Sequence, residues 1–285
     1  MIARSVMCLK ERLVTRTFSR DIKEIWDHVL RNSRGVSLKG FTEKRQDVVR
    51  TILENTEVTR DHMTPELKLL LLTENCPLYR EPFIDKDGDR RLDSLTRTVF
   101  HDPFWSIYWP GGQALTRFIL DERERIFGRK LPGAKKGPLR ILDLGAGCGA
   151  TAIAAKSIGP WQVVANDISE VACVAIAMNA MLNDVDIEVT WQNLLEKTPE
   201  DLYDVIFVGD LLYDEEIANI LITWLENAHV RGARIYVGDP GRHGLTADLK
   251  SRLRLLRRYF LPESVKRENH GYDTATVWEF ATGTK

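Results

Sequence analysis

Five polar residues lie at the ends of short, mostly apolar segments that have the length of β-strands. The residues are Asp143, Asp167, Asn193, Asp210 and Asp239. Ligands of open α/β sheets bind outside the carboxyl ends of the parallel strands, so we expect these side chains to line one cleft. The alternative is that aspartate stands there only as a turn former, which is common at strand ends.

A glycine-rich segment after Asp143 predicts a nucleotide-binding βαβ unit. An apolar strand at 139–144 leads into a loop with three alternating glycines, Gly145, Gly147 and Gly149. A run of small residues then predicts a helix, and a second strand ends at Asp167, 22 positions after the first of these glycines. That separation matches the roughly 20 residues expected between such a loop and an acid that binds a ribose.

The carboxylate of Asp143 separates two classes of cofactor. A dinucleotide-binding loop has its third glycine where this chain has Ala150. A carboxylate beside the loop repels a pyrophosphate, whereas it attracts the ammonium group of a methionine moiety. The pattern resembles motif I of the class I S-adenosylmethionine-dependent methyltransferases. We therefore expect S-adenosyl-L-methionine as the cofactor, and a plain NAD-binding domain is the alternative.

The segment Asp210-Leu211-Leu212-Tyr213 indicates the class of methyl acceptor. Amino-methyltransferases that act on bases or on glutamine resemble each other in an Asn/Asp-Pro-Pro-Tyr turn, which is missing here. The DxxY pattern instead resembles the seven-β-strand protein-lysine methyltransferases. This resemblance implies an α/β fold: a Rossmann-like, seven-stranded class I methyltransferase sheet with an antiparallel last strand, preceded by an N-terminal extension.

Further motifs narrow the resemblance within that family, over about residues 50–285. They are the segments 109–112, 145–155, 165–167, 209–215 and 238–242. Together they look like the mitochondrial members that act on the β-subunit of electron transfer flavoprotein. The resemblance implies this subunit as the protein substrate, methylation up to trimethyllysine, and tuned electron acceptance from dehydrogenases. A methyltransferase of another matrix protein or of a small molecule, and a catalytically silent assembly factor, are the alternatives.

The resemblance and the strand-end positions together assign the site residues. Catalytic roles are expected for Asp210, Tyr213 and Asp239, of which the first two would orient the lysine amine. The expected cofactor-binding residues are Trp109, Asp143, Gly145, Gly147, Gly149, Asp167, Asn193 and Asp210. Among these, Asn193 is expected to meet the adenine and Trp109 to form a wall of the cleft, although a buried aromatic corner explains the cluster at 104–109 equally well. No metal ligand set is expected.

The first 18 residues form a basic, acid-poor segment with apolar residues on one helical face. Such a segment is typical of a mitochondrial transit peptide, and Arg16-Thr17-Phe18-Ser19 resembles a matrix-processing pattern. We expect location in the mitochondrial matrix; a surface helix of a cytosolic protein is the alternative. The remaining divisions are expected to be a weakly ordered linker at 19–46, an N-terminal extension at 47–110 and the methyltransferase domain at 111–285.

Composition excludes several other classes. The net charge of −1 provides no field to recruit nucleic acid, and no apolar run reaches the roughly 18 residues of a membrane helix. Four scattered cysteines without a CxxC pair argue against a zinc site or a disulfide framework. We therefore expect no nucleic acid and no membrane as partners.

Local patterns predict several further elements. Apolar spacing predicts a helix at 47–54, and the alternating leucines at 67–71 favour a strand. The acidic segment 85–89 lacks the glycine and glutamate of a calcium loop and is expected to be a turn. Helices are predicted from Gln113 and over 245–259, and late strands near 263–267 and 274–280.

Overall fold

A computed structural model describes residues 45–80, 96, 99–101, 103–128, 137–199, 203–269 and 271–281. The predicted leader, nearly all of the predicted linker and the acidic segment 85–89 lie outside these residues. No helix in the described ranges is long and apolar enough to cross a membrane.

Nine strands and nine α-helices lie in the described ranges. The strands are β1 Glu57–Thr59, β2 Leu69–Leu71, β3 Arg140–Leu144, β4 Gln162–Asn166, β5 Glu188–Thr190, β6 Val205–Gly209, β7 Arg234–Asp239, β8 Leu253–Phe260 and β9 Thr274–Phe280. The helices are α1 Arg45–Asn55, α2 Pro77–Arg80, α3 Pro110–Asp121, α4 Arg123–Phe127, α5 Ala150–Ser157, α6 Glu170–Leu182, α7 Glu215–Val230, α8 Ala247–Ser251 and α9 Glu263–Glu268. Two short 3-10 helices span Pro103–Ser106 and Leu194–Glu196.

Seven strands form one mixed sheet in the order β5-β4-β3-β6-β7-β9-β8. The first five in this order are parallel, whereas β9 runs antiparallel to β7 and to β8. The predicted α/β, Rossmann-like seven-stranded sheet with an antiparallel last strand is thereby confirmed. Because β3, β4, β6 and β7 are parallel, their carboxyl ends lie along one edge of the sheet.

Alternate residues of the central strands supply the two apolar layers that sandwich the sheet. In β3, Ile141 joins a core layer with α3, α5 and part of α6, while Leu142 joins the opposite layer with α7 and α8. Strand β6 divides in the same way between Phe207 and Ile206. Burial on both faces requires continuously apolar strands, which is why these segments lack polar alternation.

The N-terminal extension covers the outer side of α6. Helix α1 and the antiparallel hairpin β1–β2 form a separate apolar cluster with Val174 and Met178 of α6, whereas Cys173 and Ile176 of the same helix face the sheet core. A helix that is apolar nearly all round is therefore buried between two layers. The predicted helix at 47–54 is confirmed, and the strand predicted over 67–71 is present at Leu69–Leu71.

The predicted helix over 245–259 is wrong, and so is the strand near 263–267. A five-residue helix, α8, is followed by the edge strand β8, and α9 occupies the second segment. One side of an edge strand lacks a neighbour, and a β-bulge between Leu255 and Arg257 breaks the two-residue alternation that would reveal a strand. Helix α3 also begins earlier than predicted, at Pro110, because proline suits the first helical position.

Candidate active site

The loop between β3 and α5 adopts a backbone that favours glycine. Gly145, Gly147 and Gly149 have φ angles of 67°, 55° and 80°, all in the left-handed region. A Cβ atom at Gly145 would lie 2.7 Å from Leu211, and one at Gly149 would lie 2.9 Å from Ile176. A Cβ atom at Gly147 would find no atom of the described chain within 4 Å. The middle glycine therefore borders open space, while the outer two are needed for close packing.

Asp143 lies buried at the end of β3, beneath this loop. Its Oδ2 accepts a hydrogen bond of 3.0 Å from the Ala152 amide in the first turn of α5. Burial, helped by the nearby charge of Asp167 and opposed by the Ala152 amide, raises the pKa of the carboxyl group to about 7. The carboxylate thus joins β3 to α5, but its buried negative charge is stabilised by only one hydrogen bond.

Asp167 follows β4 and faces the same loop. Its Oδ2 accepts from the Gly147 amide and its Oδ1 from the Ser169 amide, each at 3.0 Å. Burial raises its pKa as well, although the two amide donors oppose that rise. Among the described residues, no lysine or arginine forms an ion pair with Asp167 or with Asp143.

These observations fit a bound S-adenosylmethionine. A buried and a partly buried carboxylate, Asp143 and Asp167, have no cation and suit its ammonium group and ribose hydroxyls, and the open space at Gly147 allows a ligand to approach the backbone closely. Asp143, the glycine loop and Asp167 would hold it. The predicted juxtaposition of these five cofactor-binding residues is present in the fold.

Asp210 directly follows β6 and forms hydrogen bonds to α3, to β7 and to the loop after β7. Its Oδ2 accepts a 2.7 Å hydrogen bond from the Gly112 amide in the first turn of α3. Its own amide donates to the Gly238 carbonyl of β7 at 3.0 Å, and its φ of 58° is unusual for a residue with a side chain. Burial raises the pKa of this carboxyl group to about 6, although Arg242 opposes the rise.

Arg242 is the cation that pairs with Asp210. Its Nε and Nη2 atoms both approach Asp210 Oδ1, at 3.0 Å and 2.9 Å. The guanidinium carbon also lies 5.2 Å from the ring centre of Trp109 and 5.8 Å from that of Tyr272. A partly buried guanidinium between two rings and a carboxylate is held in one place. Arg242 is therefore part of the site, through its contacts with Asp210 and Trp109.

Asp239 at the end of β7 shapes the loop that carries Arg242. Its Oδ1 accepts from the amides of Gly241 and Arg242, at 2.6 Å and 2.7 Å. Its Oδ2 is buried without a hydrogen-bond partner in the described chain. Burial raises the pKa of this carboxyl group. Its position beside Asp210 agrees with the predicted neighbourhood, and its catalytic role stays a prediction.

The first turn of helix α3 meets β6 and β7 through backbone atoms. A Cβ atom at Gly111 would lie 2.3 Å from the Gly238 carbonyl oxygen, and one at Gly238 would lie 2.1 Å from the Gly111 carbonyl oxygen. A Cβ atom at Gly209 would lie 3.0 Å from the Gly112 Cα. The glycines of the 109–112 motif therefore lie in the first turn of a helix, where they are required for close approach to β6 and β7.

The remaining predicted residues take peripheral positions. Tyr213 is 54% exposed, and its hydroxyl has no hydrogen-bond partner in the described ranges. Asn193 lies exposed beyond β5, where its side chain bonds the Leu195 amide and Glu196 and so caps a short 3-10 helix. Trp109 donates to the Phe104 carbonyl at 2.9 Å and contacts Arg242. Adenine recognition by Asn193 stays a prediction.

Three connecting residues were not predicted as site residues. They are Asn166, whose amide bonds the carbonyls of Thr190 and Gln192; Asn179 on α6; and Gly238. The Gly-Asp pair that ends both β6 and β7 was a signal for Gly238. An asparagine in the middle of the apolar helix α6 was a signal for Asn179, because a buried amide needs partners.

Comparison with known proteins identifies the family. A family model described as lysine methyltransferase matches residues 105–247. The electron transfer flavoprotein beta subunit lysine methyltransferase of Mus musculus is 41% identical over 231 residues, covering 80% of this chain and 82% of the mouse protein. The protein of the same name in Danio rerio is 35% identical over 284 residues, 98% of each chain. The chain belongs to the lysine methyltransferase family.

Solved methyltransferase structures also resemble this lysine methyltransferase. Magnesium protoporphyrin IX methyltransferase from Synechocystis, with bound SAH, has a TM-score of 0.42 and 18% identity, covering 68% of this chain and 90% of that one. Ribosomal protein L11 methylase from Lactobacillus delbrueckii has a TM-score of 0.38 and 20% identity, covering 59% and 77%.

The methyltransferase takes its methyl groups from S-adenosyl-L-methionine, as the carboxylate of Asp143 predicted against an NAD-binding alternative. No group of three or more His, Cys, Asp or Glu residues in the described ranges is arranged to hold a metal ion.

Proposed function

We propose that this enzyme methylates lysine side chains of the β-subunit of electron transfer flavoprotein, up to trimethyllysine, in the mitochondrial matrix. The observation that carries the proposal is the match across 98% of both chains to the Danio rerio protein named for that activity. The Homo sapiens and Xenopus laevis proteins of the same name are each 39% identical over 80% of this chain. Methylation of this subunit would tune its electron acceptance from dehydrogenases.

The chemistry requires a neutral lysine amine close to the methyl donor. A free lysine titrates near 10.4, so at about pH 8 roughly one in 250 is neutral, a cost of about 3.3 kcal/mol. Orientation in a near-attack geometry supplies about 7–11 kcal/mol. Positioning therefore outweighs the cost of deprotonation, and a strong base is not required.

The acceptor side of the site is built for positioning. S-adenosylmethionine, when bound, supplies an electrophilic methyl group. Asp210 is held by Gly112 and Arg242, so it fixes the walls of the site on the acceptor side. The hydroxyl of Tyr213, which is exposed and has no partner among the described residues, would contact the incoming amine from the solvent side. Trp109 and Tyr272 bracket the Arg242 cation and narrow the same region.

Incubation of the purified enzyme with recombinant β-subunit and S-adenosylmethionine tests the substrate directly. We expect intact-mass analysis to show the stepwise addition of methyl groups, and peptide mapping to place them on lysines. A matched reaction with the Asp210→Ala variant should show little transfer. An unchanged β-subunit mass with active wild-type enzyme would contradict the proposal.

Parallel assays separate the alternatives. Radiolabelled cofactor and matrix extract would reveal another protein, or a small molecule, as the labelled product. Cofactor binding by calorimetry without any label transfer would indicate a silent assembly factor. For location, import of the full chain into isolated mitochondria is compared with import of a chain that lacks residues 1–18, and only the first should reach the matrix.

A further inference from the structure

The free edge of the hairpin strand β2 is closed by side chains of α6. Alternate amides along this edge point away from β1. The Lys68 amide donates to Asn183 Oδ1 at 2.9 Å, the Leu70 amide to Asn179 Oδ1 at 2.7 Å, and the Leu72 amide to the Ser106 carbonyl at 2.9 Å. Two asparagines one helical turn apart therefore serve as a substitute for a neighbouring strand.

Asn179 also reaches the glycine loop with its other end. Its Nδ2 donates to the Cys148 carbonyl at 2.9 Å, and the whole side chain is buried. Cys148 lies between Gly147 and Gly149, which both have positive φ angles. Since each peptide group is planar, fixing this carbonyl also fixes the orientation of the Gly149 amide in the same peptide group. A single carboxamide thus joins the N-terminal extension to the cofactor loop.

We propose that Asn179 is a positioning residue for the cofactor, acting through the Cys148 carbonyl, and that the extension keeps its carboxamide correctly aimed. Asn183 provides the comparison within the same helix. Its Nδ2 donates to the carbonyls of Lys68 and Asn179, each at 2.7 Å, but it does not contact the glycine loop. The proposal does not depend on which protein accepts the methyl group.

Coupling of this kind acts in both directions. If the docked extension holds the loop in its binding conformation, then a bound cofactor must stabilise the docked extension by the same free energy. The Leu70 amide reports on this link because it donates to Asn179, whereas the Leu72 amide donates to Ser106 and serves as an internal reference.

The Asn179→Asp variant separates the two bonds of the carboxamide. An aspartate still accepts from the Leu70 amide but has no N–H group for the Cys148 carbonyl. We expect its Kd for S-adenosylhomocysteine, measured by calorimetry, to rise at least about tenfold, since a buried carbonyl loses its donor and faces a carboxylate. The Asn183→Asp control should lower the unfolding temperature similarly, yet change Kd less than about twofold because the loop contact remains.

Hydrogen exchange on the wild-type enzyme tests the same link without a substitution. Adding S-adenosylhomocysteine should slow exchange of the Leu70 amide more than that of the Leu72 amide, and in Asn179→Asp this difference should disappear. Equal Kd values for wild type and Asn179→Asp, equal losses in both variants, or equal slowing of the two amides would each overturn the proposal. If Asn179→Asp does not fold, the wild-type exchange experiment decides.

Discussion

The edge of the sheet has a cofactor half, with Asp143 and Asp167, and an acceptor half, with Asp210, and the two differ in how their carboxylates are paired. On the cofactor half, Asp143 and Asp167 accept hydrogen bonds only from backbone amides and pair with no described cation. On the acceptor half, Asp210 receives the Arg242 guanidinium in addition to an amide. The first half leaves its carboxylates without a cation from the protein, whereas the second half pairs its carboxylate with one.

This difference indicates which half of the site needs a positively charged ligand to stabilise its carboxylates. A buried carboxylate without a cation is costly, and the cost is recovered when a positively charged ligand binds. The cofactor half is therefore organised to attract an ammonium group. The acceptor half contains its own cation, so its carboxylate serves mainly to hold α3, β6 and the Arg242 loop together.

The largest effect is expected from the acceptor half. Asp210→Ala leaves the guanidinium of Arg242 without its carboxylate and the Gly112 amide without an acceptor, so methyl transfer to the acceptor should fall at least about 100-fold. The Asp210→Asn variant keeps an oxygen that accepts from the Gly112 amide, and asparagine tolerates the positive φ angle. Its rate of methyl transfer should therefore fall less. Transfer of radiolabelled methyl groups measures both.

The exposed carboxylate of Asp248 provides the control for these variants. It pairs with Arg252 at 2.7 Å on the surface, so Asp248→Asn should retain full activity. If Asp210→Ala transfers methyl groups at a rate near the wild-type value, then the contacts of Asp210 at the end of β6 are not required for transfer.

Asp143→Asn should reveal the cost of the unpaired charge in the cofactor half. In the wild type, the Asp143 carboxyl group has a pKa of about 7, so between pH 4 and 7 it holds a proton in the folded protein that it loses in the unfolded chain. The burial of its negative charge therefore destabilises the fold fully above pH 7 and not at all near pH 4. The variant should therefore gain on the order of 2 kcal/mol in unfolding free energy at pH 8, and the gain should vanish toward pH 4.

The same variant should bind the cofactor at least about tenfold more weakly, since the ammonium group loses its carboxylate. Denaturant unfolding at several pH values and calorimetry measure the two effects. A variant that gains stability without losing cofactor affinity would mean that Asp143 is only a structural joint.

Alanine substitutions at two glycines of the loop should have smaller effects, and one should lower mainly stability while the other lowers mainly cofactor affinity. Gly147→Ala and Gly149→Ala both place a side chain at positive φ, each costing about 1–2 kcal/mol. Only Gly149→Ala also contacts Ile176, so it should be the less stable variant by about 1 kcal/mol or more. Gly147→Ala should instead weaken cofactor binding more than its stability loss explains, by about tenfold. An unchanged cofactor Kd would mean that the open space at Gly147 is not occupied by cofactor.

The smallest effect is expected at Tyr213. Its hydroxyl is exposed and bonds no described residue, so Tyr213→Phe should leave the unfolding temperature unchanged. Loss of one hydrogen bond to the acceptor amine should reduce kcat/KM about 2- to 10-fold. Tyr259→Phe on the edge strand β8, whose hydroxyl lies 3.4 Å from Asp121, is the matched control and should leave kcat/KM unchanged.

Features that depend on local sequence were predictable. The alternating glycines with their flanking carboxylates specify the turn between β3 and α5, and the apolar runs at 140–144 and 205–209 specify central strands. The DxxY segment also lies at the predicted sheet edge. These predictions succeeded because neighbouring residues alone determine the backbone there.

Features that depend on distant contacts were not predictable. The pairing of Arg242 with Asp210 joins residues 32 positions apart, and Asn179 reaches Leu70 across 109 positions. Strand β8 was mistaken for a helix because its bulge and its exposed basic residues conceal the strand period. Position along the chain carries no information about which side chain will be the partner in these cases.

The glycine-to-glycine seam between α3 and β7 has a mechanical consequence. Because carbonyl oxygens at Gly111 and Gly238 occupy the space that side chains would fill, the helix and the strand cannot slide or tighten against each other. The seam therefore fixes where the first turn of α3 stands against the sheet, and with it the Gly112 amide that donates to Asp210.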